Sequence, residues 1–345
     1  MKADWAVSIA LCAPLLLVAL LLHWLPLWRR SSLWFAVTVA PDFGNTPPAR
    51  QVLRGYRIAV WTVSTAALIV VWLGLRWDAT WMLLAGQSLQ VLGAAAAFAH
   101  GRNRIRPFAQ YPDGTRAAPL STVPEGMPGG LAAVLGPYGL LAAAAIFLDL
   151  NWQRIPARFP VHWGISGMPD RYAQRTWQSV DGVLVAGGLL LLALHGLGYL
   201  MQRGSPRARI PETADWTARF RRANLRMIVA MGWTMSLLFS TLALNPYFAA
   251  GDRLAIPVWP IVGVVLAVTA AFLWPIVRIS QEPGSGSDGT PDECWKLGQI
   301  YYNPNDPALM VEKRFGVGYT INFGNRASWL LAAVLLLLIF VPLLL

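Results

Sequence analysis

The sequence predicts an all-α polytopic membrane protein of about eight transmembrane helices, with a small β-hairpin module on the cytoplasmic side. Three observations carry that prediction. Of 345 residues, 56% are hydrophobic and only 13% charged, with a mean hydropathy of +0.47. A soluble domain carries about 25% charged and about 45–50% apolar residues. The apolar residues also gather into eight runs close to the roughly 20 residues that a spanning helix needs. Finally, the basic residues collect in alternate loops. The same figures exclude an intrinsically disordered chain and fit a soluble enzyme poorly.

The predicted spans are 5–28, 58–75, 80–99, 131–150, 180–200, 227–249, 255–276 and 329–345. The first follows Lys2, as a secretory signal would. Its apolar run is longer than the usual 7–15-residue signal core and ends in Trp28 and Arg29 instead of a cleavage site, so it reads as a retained helix. Between the first two spans, 29–57 holds an apolar piece at 33–39 and then Pro41, Pro47 and Pro48. It reads as an interfacial strand or a short amphipathic element lying on the bilayer. Segment 101–130 is rich in Pro, Gly and Arg and reads as a loop. Segment 202–226 carries Arg219, Arg221, Arg222 and Arg226 just before a span, the usual anchor of a cytoplasmic helix end. Trp5, Trp24, Trp28, Trp77, Trp81, Trp152, Trp177, Trp274 and Trp329 sit where the predicted interfaces fall, and an amphipathic indole anchors at headgroup depth.

Loops 29–57, 100–130, 201–226 and 277–328 hold 21 of the 28 Lys and Arg residues, and the segments on the other side hold 7. This asymmetry places both termini and loop 151–179 on the outer side of the membrane. A net charge of +11 would suggest nucleic acid in a soluble protein. Here it reflects basic loops facing anionic membrane lipid, and no nucleic-acid motif accompanies it. Cys12 and Cys294 lie far apart, so the chain has neither a disulfide framework nor a cysteine zinc site.

The non-membrane C-terminal stretch follows a Gly/Ser linker at 283–291. Tyr319, Ile321 and Phe323 alternate with Thr320 and Asn322, which is strand periodicity. Asn303-Pro304-Asn305-Asp306-Pro307 is dense turn chemistry between two such runs, and a β-hairpin module follows from it. At about 30 residues it is too small for its own core, so it should pack on the membrane body. Gly316 and Gly318 read as structural, since no helix and no Lys-Ser/Thr ending follows them. The chain thus divides into 1–130, 131–200, 201–280, 281–328 and 329–345.

Loop 151–179 carries the sharpest signal. Pro156, Pro160 and Pro169 fix φ, and Gly164 and Gly167 permit tight turns, so a short loop can hold one shape. His162 can titrate near neutral pH, and Asp170 could orient it across the turn. Ile155-Pro156, Pro160, His162-Trp163, Gly167 and Pro169-Asp170, between two helices at 131–200, resemble a domain of SdpI-like bacterial membrane proteins. Segment 295–323 resembles a small module of unknown function that accompanies this domain. The resemblance implies an inner-membrane protein that binds or senses a peptide or an envelope-active compound, with immunity or signalling as output. It also implies an extracytoplasmic peptide ligand and a cytoplasmic regulator as partners. Pro160, His162, Trp163, Gly167, Pro169 and Asp170 are then the candidate ligand-binding residues.

A membrane-embedded enzyme or transporter acting on an amphiphile is the alternative. No Ser-His-Asp order, His-Glu-x-x-His or phosphate loop occurs, and no catalytic residue, metal or cofactor is assigned. His23, His100 and His195 lie at similar predicted depth, though no spacing makes them ligands. Gln87, Gln90, His195 and Asn245 are the polar groups within spans, with Asp149 at an outer end, and helix–helix hydrogen bonding accounts for them.

Overall fold

The computed structural model describes residues 5–30, 32–77, 79–110, 126–163, 169–203, 214–248, 258–282 and 288–340. In chain order they form α1 (Trp5–Trp24), β1 (Leu33–Trp34), β2 (Val37–Thr38), α2 (Pro47–Arg76), α3 (Thr80–Ile105), α4 (Gly130–Leu150), β3 (Arg158–Trp163) and β4 (Pro169–Gln174). Then come α5 (Trp177–Val180), α6 (Gly182–Arg203), α7 (Ala214–Phe248), α8 (Val258–Ser280), β5 (Trp295–Lys296), β6 (Ile300–Tyr301), β7 (Met310–Glu312), β8 (Tyr319–Ile321) and α9 (Arg326–Phe340). Six helices (α2, α3, α4, α6, α7 and α8) are long and apolar enough to cross a membrane. The fold is that of an all-α multi-pass membrane protein. The other two predicted spans fall on α1 and α9, whose apolar stretches among the described residues, Cys12–Leu27 and Arg326–Leu337, are shorter.

Two helices start well before the predicted spans. Thr46 caps α2 by accepting from the Ala49 N–H, and Pro47 stands at the first helical position, where its missing N–H costs nothing. Pro47 and Pro48, which the sequence places in an interfacial segment before the span, therefore open the spanning helix itself. Likewise α7 begins at Ala214, so most of the basic segment before the predicted span is helical. At 35 residues it is about 52 Å long and projects beyond a hydrocarbon core of about 30 Å.

The N-terminal half is built on α1, α2 and α3. A Cβ on Gly93 would lie 2.4 Å from Val63 Cγ1, so α2 and α3 touch at a depth only glycine allows. Buried Gln90 donates to the Leu15 carbonyl (2.8 Å) and to Ser64 Oγ (3.0 Å), joining the three helices as expected of a polar group within a span. In the second half α7 packs on α4, α6 and α8, and α9 lies against α6.

Segment 33–39 forms strands, the first of the two readings its sequence allows, and it is covered by protein. It is a buried two-stranded hairpin whose turn residues Phe35 and Ala36 adopt positive φ. Phe35 stacks on Phe98 and Phe315, and Arg102 of α3 donates to the carbonyls of both Phe35 and Ala36. That turn, made without glycine, is strained by its own sequence and held by the groups around it.

The C-terminal module contains two small hairpins instead of one. β5 pairs with β6 and β7 with β8, and a parallel bridge joins Tyr301 to Asn322. The Asn303–Pro307 turn links the two hairpins. The side chain of Asn322 holds it by donating to the Asn303, Asp306 and Ala308 carbonyls. Gly316 and Gly318 have φ of +76° and +97°, the structural use expected of them.

The module docks on both halves of the molecule. Phe315 packs on Phe98 of α3 with ring centres 4.0 Å apart, and Tyr319 lies beside Phe220 of α7. Buried Arg30, just after α1, stacks over Trp216 of α7 at 4.0 Å and faces Glu312 of β7 at 3.7 Å. Asp292 accepts from the Thr38 hydroxyl (2.9 Å).

Candidate functional site

α6 connects two non-helical units at opposite ends of the second bundle. Leu184 near its start belongs to the core beneath β3 and β4, and Met201 near its end belongs to the core shared with β7 and β8. The predicted binding loop is therefore about 30 Å from the module along one helix.

Its local structure follows from its ends. Asn151 closes α4, its side chain donating to the Phe147 carbonyl (2.8 Å). Thr176 and Ser179 form a reciprocal capping box that starts α5. Between them Arg175 donates to the Trp152 carbonyl (3.1 Å) and the Ile155 carbonyl (2.8 Å), closing the base of the loop. Ile155 and Phe159 are buried against Leu148, Val180 and Leu184. The loop is thus an anchored hairpin with its own apolar footing.

β3 and β4 are antiparallel, with Pro160 opposite Tyr172, His162 opposite Arg171, and Trp163 opposite Pro169. Pro160 is buried, and His162 and Val161 are exposed. Register shifts fall on either side of His162, so Val161 and Asp170 lie at irregular positions. The pairing places Arg171, and not Asp170, across from His162. Gly167 lies outside the described residues. Arg154, Arg158 and Arg171 are exposed, with Arg154 reaching the Tyr247 hydroxyl at 3.3 Å and Arg158 over the Tyr172 ring at 4.7 Å.

A carboxylate that sequence reasoning passed over lies beneath this hairpin. Asp181, between α5 and α6, is 4% exposed, and neither carboxylate oxygen has a hydrogen-bond partner among the described residues. Burying such a group unpaired is expensive. The one signal was an acid directly at the entry to an apolar run, where ionisable groups are rare. Deeper in the bundle, His195 Nδ1 meets the Tyr138 hydroxyl at 3.1 Å, and its Nε2 faces Gly232, where a Cβ would stand 3.0 Å away. Ser236 donates to the Pro137 carbonyl at 2.6 Å. Asn245 is buried as well. His23 instead accepts from Trp61 Nε1 (3.1 Å), and His100 lines a groove between α2 and α3. Among the described residues no group of three His, Cys, Asp or Glu side chains is placed to hold a metal ion.

The two non-helical units are also where known families are found. Residues 139–180, from within α4 through the hairpin to the end of α5, match a domain of unknown function, DUF1648. Residues 304–329, from the Asn303–Pro307 turn through β8 to the start of α9, match a family of unknown function, DUF5808. No curated protein and no solved structure matches the chain. The sequence is thus a multi-pass helical frame carrying two recognisable family segments, one at each end of α6.

Proposed function

We propose that this is an SdpI-like inner-membrane protein whose hairpin, β3–β4, faces the outside and binds a peptide or an envelope-active compound, with immunity or signalling as output. One observation carries the reading: the hairpin is firmly footed yet pairs with no third strand among the described residues. An extended peptide can add to such an edge through main-chain hydrogen bonds. Exposed Arg154, Arg158 and Arg171 favour an acceptor-rich ligand, and the prolines limit the ordering cost of binding. Both termini share the hairpin's side in this reading, and the module faces the cytoplasm, where a regulator would meet it.

The test is survival of cells challenged with envelope-active peptides. Cells making His162→Ala or Asp170→Asn protein at wild-type level should lose protection or response. Full response at normal expression in both variants would reject the site.

Asp181 favours a second reading, a transporter or membrane enzyme acting on an amphiphile. A buried carboxylate with no partner among the described residues, at the entry to a spanning helix, is the kind of group that marks a pathway for ions or substrate. Under that reading Asp181→Asn abolishes uptake or turnover and leaves peptide protection intact.

A further inference from the structure

We infer that the groove between α7 and α8, at the module end of the bundle, binds an anionic phospholipid. It encloses about 340 Å³ and is lined by Arg219, Arg222 and Arg226 of α7 with Ala271, Phe272 and Pro275 of α8. The three arginines are spaced i, i+3 and i+7, so they form a row about 10 Å long on one face of α7. Trp274 is exposed, and Arg278 stands over its ring at 5.3 Å, which marks headgroup depth. Ala271 and Phe272 lie on the hydrocarbon side of that level, about 14 Å from the end of α8 at Ser280. Arg226 opens onto them.

Arg219 is already paired with Asp215 (2.9 Å) and Glu282 (2.8 Å), and it frames the mouth. Arg226 is exposed and has no ion-pair or hydrogen-bond partner among the described residues. A cation at the edge of the hydrocarbon needs a counter-charge or a route to water. A phosphodiester supplies the charge and two acceptor oxygens that match a guanidinium fork. Its acyl chain would lie over Ala271, Phe272 and Pro275, a floor that soluble phosphate could not use. A zwitterionic headgroup brings its own ammonium to a row of arginines, so the charge favours an anionic lipid. This inference does not depend on what the hairpin binds.

The experiment is native mass spectrometry of the full chain released from micelles holding equal phosphatidylglycerol and phosphatidylcholine. Wild-type protein should retain phosphatidylglycerol about tenfold over phosphatidylcholine. Arg222→Gln with Arg226→Gln should abolish that preference. Ala271→Leu, which fills the floor without changing charge, should do the same. Lys296→Gln with Lys313→Gln, which removes two charges from the module, should keep it. Equal retention of both lipids by the wild type, or an unchanged preference in both groove variants, overturns the site. Displacement of phosphatidylglycerol by millimolar inorganic phosphate would also overturn it, as it would show a soluble-anion site.

Discussion

Arg314 and Asp288 meet as a two-pronged ion pair inside the module, Nε donating to Oδ2 and Nη2 to Oδ1, both at 2.8 Å. The Arg314 side chain is fully buried, and it also reaches Asp292, the Thr290 carbonyl and the face of Trp295. With Arg30 and Arg102 it completes a set of three buried arginines around Asp288, Asp292 and Glu312. Two of the arginines come from the N-terminal half and all three carboxylates from the module. The charge cluster is therefore also the joint between them.

Breaking this pair from one side should be far more damaging than its absence would suggest. Arg314→Met leaves Asp288 buried without its partner, and such losses cost about 3–5 kcal/mol. Arg314→Lys should not restore stability, because one ammonium cannot reproduce the two-pronged geometry. Thermal unfolding of the purified chain in one fixed detergent checks both. Wild-type stability in Arg314→Met would show that the joint is not held here.

The same pair sets an acid limit. Burial alone would push the Asp288 carboxyl upward, but Arg314, Arg30 and the Thr290 hydroxyl together hold it well below the usual carboxylate range. Its contribution is complete above the unfolded value of about 3.9 and is lost as pH falls through the depressed folded value. The stability gap between wild type and Asp288→Asn should therefore be constant from neutral pH to about pH 4 and shrink below it. A gap that stays constant below pH 4 would contradict the assignment.

What was legible in the sequence was whatever depends on neighbouring residues. Apolar length alone located α3, α4 and α6, and Asn303–Pro307 located a real turn. Trp24, Trp77, Trp81, Trp177, Trp274 and Trp329 are exposed, as interfacial anchors should be, whereas Trp28 and Trp152 are half-buried. The failures are tertiary. Phe35 and Ala36 take positive φ because Arg102, 66 residues on from Ala36, captures their carbonyls, and no local signal announces that. At the site, the bulge around His162 changed which residue faces it, and an eight-residue spacing to Asp170 cannot reveal a register. Asp181 was hidden differently, read as the edge of an apolar run although its environment is the buried footing of the hairpin.

Docking of the module should depend on the absence of a side chain at position 298. Gly298 has φ of +76°, and a Cβ there would stand 2.9 Å from Ala36 Cβ and 3.0 Å from Arg102 Nη1. Gly298→Ala adds left-handed strain of about 1–2 kcal/mol to that clash. It should lower the unfolding temperature and speed amide exchange across β5 and β6. Gly263→Ala in α8 is the matched control, because nothing lies within 4 Å of its Cβ position. It should be neutral or slightly stabilising, since alanine is the better helix former. Equal effects from the two would remove the close-approach argument.

Orientation is the prediction on which the proposed function depends most. The joint and the hairpin sit at opposite ends of α6, so a single assignment places them on opposite sides of the membrane. In the proposed orientation, which rests on the distribution of basic residues, the module lies inside with the arginine-rich start of α7 and the hairpin outside. After replacement of Cys12 and Cys294, a cysteine at Ser166 or Ser179 should react with a membrane-impermeant thiol reagent added to intact cells. A cysteine at Ser205 or Ser285 should react only once the cells are opened. Reversed labelling would move the hairpin to the cytoplasm, where no extracytoplasmic ligand could reach it, and the sensing proposal would fail with it.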